Sequence, residues 1–255
     1  MTLSVDLLEG ELELASRIMP ASNATYLGQI GDVKVIYKPV AGERPLWDFP
    51  DGNLAGREVA AYAVSEAFGW RIAPVTWLRD GPLGIGMVQL WQVTDPAQQA
   101  VTLVAADDLP EGWCHVFDGL DEHDRPVSLV HEDSTALRRM AVFDIVVNNA
   151  DRKGGHVLEM TDGHRHGVDH GLTFHTDHKL RTVLWGWLGH ELRPDELEGV
   201  ERVRTALSAD LGDTLAALIT EAEIAGLAIR CDRLLREGRF PAPRGDMPAI
   251  PWPPF

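Results

Sequence analysis

Apolar and polar positions alternate through residues 11–18, and this two-residue period predicts a first strand, with 25–30 and 33–39 reading as the second and third. Residues 19–24 form the first turn, and Gly31-Asp32 closes a tight hairpin. From 54 to 68 the period lengthens: Leu54, Val59, Ala60, Tyr62, Ala63, Val64 and Ala67 recur at helical spacing, with Asn53 as the N-cap. The loop before it, 41–53, carries Trp47 and Phe49 and is long enough to be a functional or packed loop. Residues 73–78 and 86–91 read as two further strands. Residues 94–125, rich in Asp, Glu and Pro, read as loop and short helix. Residues 134–147 form a helix with Leu137, Met140, Phe143, Ile145 and Val147 around it. Short strands flank a turn at 161–163, and 180–188, with Trp185 and Trp187, reads as a strand or extended platform. Two or three amphipathic helices fill 194–235, and 241–255 is a Pro-rich tail.

Antiparallel strands first and helices afterwards make an α+β chain. At 255 residues it is long enough for one two-lobed domain. Two cysteines, Cys114 and Cys231, indicate no disulfide framework. The acidic start lacks the basic and apolar regions of a signal peptide, so a cytoplasmic protein is expected. A net charge of −16 argues against nucleic acid as a partner and against stable association with anionic membranes. The acidic run between Asp107 and Asp124 reads as solvated surface, and Arg230, Arg233, Arg236 and Arg239 as a solvated helix face.

The chemistry concentrates in 140–174, where Asn149-Ala150-Asp151-Arg152 is followed by Lys153-Gly154-Gly155-His156 and then by Val168-Asp169-His170-Gly171. This pairing of a loop Asp with an Asp-x-Gly resembles the protein-kinase superfamily. The closest likeness is to its atypical branch: phosphatidylinositol 3-/4-kinases, HipA-type kinases and an actinobacterial group labelled phosphatidylinositol-kinase-like. The resemblance implies a two-lobed protein-kinase-like fold, with a five-stranded antiparallel N-lobe carrying one helix and a mostly helical C-lobe. It divides the chain into a nucleotide-binding lobe over 1–92, a catalytic and metal-binding lobe over 93–240, and the tail.

It also implies roles. Asp151 would orient the attacking hydroxyl, and Asp169 would hold the metal, Mg2+ or Mn2+, that bridges the phosphates of ATP. Lys38, ending the third strand, would contact the phosphates, and Glu58 would pair with it. Ser22 and Asn23 in the first turn would lie over the phosphates. Gln89, Leu90 and Trp91 would meet the adenine through backbone groups. His156 stands five residues after Asp151, where protein kinases place an Asn for a second metal. An imidazole suits softer ions than magnesium. Lys153 takes the place of a His in the lipid-kinase pattern.

The expected activity is ATP- and metal-dependent phosphoryl transfer to a hydroxyl of a protein or small-molecule acceptor. A pseudokinase or nucleotide-binding regulator, and adenylyl transfer on the same fold, stand as alternatives. The many histidines between 156 and 178 fit no common zinc spacing.

Overall fold

The computed structural model describes residues 5–19, 23–44, 49, 54–106, 108–244 and 248–255. After a short helix α1 (Val5–Glu9), five strands form one antiparallel sheet: β1 (Leu12–Arg17), β2 (Tyr26–Ile30), β3 (Val33–Pro39), β4 (Thr76–Gly81) and β5 (Gly84–Leu90). Their order is β1-β2-β3-β5-β4, so β3 lies at the centre. The long helix α2 (Leu54–Phe68) connects β3 to β4. The sheet buries its own small cluster of Leu12, Ile30, Val35, Tyr37, Trp77 and Val88.

The N-cap expected of Asn53 lies outside the described residues, as does Ser22. The Glu43 carboxylate instead accepts from the Leu54 and Ala55 N–H groups, both at 2.8 Å. This places a negative charge at the positive end of the α2 dipole and satisfies two of its free donors.

Residues 94–125 are not loop and short helix. They contribute β6 (Val101–Ala105) and β7 (Trp113–Leu120), which join β8 (Pro126–Glu132) in a three-stranded antiparallel sheet of order β6-β8-β7. A register shift between His115 and Phe117 interrupts the alternation that would have marked β7. Helix α3 (Thr135–Val147) follows, with the Ser134 hydroxyl accepting from Leu137 N–H as N-cap. A β-hairpin of β9 (Val157–Glu159) and β10 (Arg165–Gly167) comes next. Residues 180–188 form no strand; they meet the loop after α3 through the bridge of Arg152 with Thr182 and through Arg181, which donates to Asn149 O and Ala150 O. Trp187 turns inward and is buried. Helices α4 (Pro194–Ala206), α5 (Asp210–Ala216) and α6 (Glu221–Glu237) complete the helical part.

The main core joins α2 to the C-terminal helices. Ala60, Ala61, Val64 and Phe68 are fully buried in the cluster that contains Phe143, Val200, Leu215 and Leu227. Phe68 stacks on Trp70 at 4.4 Å, and burial of a side chain of this size contributes about 1.5–3 kcal/mol. Arg57 of α2 pairs with Glu223 of α6, both buried. Helix α2 is therefore fixed to the helical lobe while presenting Glu58 to the sheet. The arginines of α6 are not a uniformly solvated face: Arg230 donates to Val146 O at 2.7 Å. Among the described residues no helix is long and apolar enough to cross a membrane.

Candidate active site

An acidic side chain in the apolar run of α3 organises the loop that follows. Asp144 is fully buried, and so is Arg152. The guanidinium grips the carboxylate with Nε at 2.8 Å and Nη2 at 2.9 Å. Its remaining donors reach His156 O, Val168 O and His170 Nε2 at 3.1, 3.2 and 2.7 Å. One planar fork thus ties α3, the loop and the residues before Gly171 together. Asn148 ends α3 in the left-handed conformation, with φ 56°. Asn149 donates to Asp144 Oδ1 and accepts from the Asp151 N–H, at 2.9 and 3.0 Å. Asp151 is thereby held by its backbone while its carboxylate pairs with Lys153 Nζ at 3.4 Å.

The second cluster joins the sheet to the helical lobe. Lys38 Nζ lies 2.6 Å from Glu58 Oε1 and 2.7 Å from Asp169 Oδ1. The second Glu58 oxygen accepts from His170 N–H at 2.9 Å. Burial works against the Lys38 charge, but Asp169 and Glu58 outweigh it and raise the pKa. The nearby Lys38 holds the Asp169 carboxyl well below the usual range. Burial raises that of Glu58. Asp169 sits in the left-handed region at φ 61°, which Asp enters more readily than most non-glycine residues. Its carboxylate is 51% exposed, whereas that of Glu58 is 2% exposed.

His156 closes this cluster. Its Nδ1 lies 2.9 Å from Asp151 O, which can only accept, so Nδ1 carries the proton. Nε2 then presents a lone pair to Asp169 Oδ2 at 3.4 Å. Burial keeps this imidazole neutral by lowering its pKa, against the pull of Asp169. Two acceptors facing each other repel, and a cation between them would satisfy both. Among the described residues no group of three or more His, Cys, Asp or Glu gathers as a metal site. Two protein ligands suit an ion whose other ligands are phosphate oxygens and water.

No family model matches the chain. Protein Rv2133c of Mycobacterium tuberculosis is 47% identical over 277 aligned positions, which cover 100% of this chain and 98% of that protein. The chain belongs to the family of Rv2133c. Among solved structures, a Helicobacter pylori proinflammatory kinase, CtkA, matches with 11% identity and a TM-score of 0.49, over 93% of this chain and 95% of that one.

In this member of the family, Lys38, Glu58, His156 and Asp169 come together as one cluster, with Asp151 joined to it through His156. Asn23 Oδ1 accepts from Arg44 N–H at 2.9 Å and pins the first turn to the following loop. Gln89 is buried, its side chain donating to Thr76 Oγ1 at 2.9 Å. The N–H groups of Leu90 and Trp91 are already bonded to Val75 O and Lys34 O. Reasoning from motifs quoted Arg152 and Lys153 without assigning them these contacts, and it gave Asp144 no role. A lone carboxylate within the apolar run 140–147 was the available signal, because a buried charge requires a partner.

Proposed function

We propose that the protein is an ATP- and metal-dependent phosphotransferase that transfers a phosphoryl group to a hydroxyl. The observation that carries this reading is the convergence of Lys38 from the central strand, Glu58 from α2 and Asp169 from the loop after β10 within ion-pair distance. A cation held by one buried and one half-exposed carboxylate can release the exposed one to face a polyphosphate. Glu58, fixed by the His170 N–H, keeps the ammonium in place. Asp169 and His156 would hold the metal, which neutralises phosphate charge when bound.

In the reaction the bond between the γ-phosphorus and its bridging oxygen breaks, and a bond to the acceptor oxygen forms. The acceptor proton passes to Asp151, and ADP leaves. Lys153 adds a positive charge beside Asp151, where charge develops on the transferred group. The loop sequence 149–152 supports membership of the atypical branch, and the net charge of −16 favours a soluble acceptor over an anionic membrane lipid.

A nucleotide-binding regulator without transfer activity is the second reading. His156 favours it, because imidazole is a poor magnesium ligand. Incubation with ATP and Mg2+ or Mn2+, with the products separated chromatographically, decides. ADP supports phosphoryl transfer. AMP with pyrophosphate supports adenylyl transfer instead. Binding without turnover supports the regulator.

A further inference from the structure

The Pro-rich segment 248–255 plays no part in the chemistry above, yet it lies on the loop that performs it. Ala249 O accepts from Thr182 N–H at 3.0 Å and from Trp185 Nε1 at 2.8 Å. Ile250 packs against the main core, and Pro251 is buried. From this anchor the chain crosses to the loop, where Pro254 O accepts from Gly154 N–H at 2.8 Å. The Phe255 ring rests on Gly154, and a Cβ at that position would fall 2.4 Å from its Cε1. A side chain at this position would displace the ring.

Gly154 is three residues beyond Asp151. Residues 181–183 flank the same loop, through Arg152 N–H to Arg181 O and Val183 N–H to Arg152 O, both at 3.1 Å. The segment therefore covers the loop on the side of Thr182, and among the described residues no hydrogen bond or ion pair links it to Lys38, Glu58 or Asp169. Its contacts fall on the loop that carries Asp151 and not on the cluster of Lys38, Glu58 and Asp169.

The far half is lightly held. Trp252 is 78% exposed and Phe255 47% exposed. Pro254 has no N–H to make a second bond. A firm anchor at 249–251 and a weak contact at 254–255 describe a strap that can open without unfolding its base.

We propose that residues 252–255 form an autoinhibitory strap over the acceptor side of the Asp151 loop, displaced when the acceptor binds. This rests on the phosphotransfer reading. The test compares the full chain with a chain ending at Pro251, which keeps the anchor. Both are assayed for ATP–Mn2+ binding by calorimetry and for ADP formation with water as acceptor. The expected result is equal ATP affinity and about tenfold faster ADP formation in the shortened chain, the ratio for a strap closed about nine-tenths of the time. A synthetic peptide of residues 252–255, the part removed, should bring the rate back down. Equal binding with an unchanged or lower rate overturns the strap alone. Absence of binding in both chains overturns the phosphotransfer reading and the strap with it. Should the shortened chain fail to fold, Phe255→Ala in the full chain decides by the same rate comparison.

Discussion

Two charged clusters sit on the same loop, and they are built in opposite ways. Asp144 and Arg152 are both fully buried, and every donor of the guanidinium that reaches the loop has a named acceptor. Lys38, Glu58, Asp169 and His156 form a cluster closed on the Glu58 side and open at Asp169. The first has no capacity left for a ligand and serves to hold the loop's shape. The second has two acceptors facing each other and a lysine shared by two carboxylates, an arrangement completed by a cation and an anion from outside. Removing a member of the first should cost stability, and removing a member of the second should cost binding.

The largest effect is expected from Asp144→Ala. It leaves the Arg152 charge buried and unpaired, which costs about 3–5 kcal/mol. Urea denaturation of parent and variant should show the midpoint falling accordingly. A loss below about 1 kcal/mol, the range of exposed ion pairs, would erase the distinction between the clusters.

His156→Asn sharpens the description of the open cluster. The parent should favour Mn2+ over Mg2+ in supporting ATP binding, because imidazole suits the softer ion. The variant replaces that nitrogen by an amide oxygen, and its preference should move toward Mg2+ by about tenfold, or about 1.4 kcal/mol. Titration of each protein with ATP and each metal measures this, and an unchanged preference would remove His156 from the metal site.

The smallest effect concerns pH and two histidines outside both clusters. Burial lowers the pKa of His131, and burial takes that of His166 to about 4. The unfolded chain therefore takes up protons near pH 6.5 that the folded chain refuses, so stability is full above that pH and falls as pH drops toward 4. His166→Gln should flatten part of this decline in thermal melts between pH 7 and 5.

The difference between the clusters also explains what could be read from the sequence. Strand β3 and helix α2 have the bounds expected. The open cluster was legible through Lys38, Glu58, His156 and Asp169, residues set by sequence motif rather than by packing. Strands β6 and β7 were hidden: β7 is half-exposed along most of its length and bulged, so no clean alternation marks it. Residues 180–188 look strand-like because Leu184 and Trp187 are apolar, but those side chains fill the core from irregular backbone. The contact of Phe255 with Gly154 joins residues 101 positions apart, and no local pattern encodes it.

The central claim is that the open cluster binds a nucleotide and a metal together, and calorimetric titration of the parent and Asp169→Ala with ATP and Mn2+ tests it most directly. The parent should bind ATP only with the metal present, and a hundredfold excess of ligand over its dissociation constant should raise stability by about 2.7 kcal/mol. Asp169→Ala should lose metal-dependent binding while its own unfolding free energy stays within about 1 kcal/mol of the parent, as befits a half-exposed ion pair. Metal-dependent ATP binding by the variant equal to that of the parent, or no binding by the parent at all, would contradict the account.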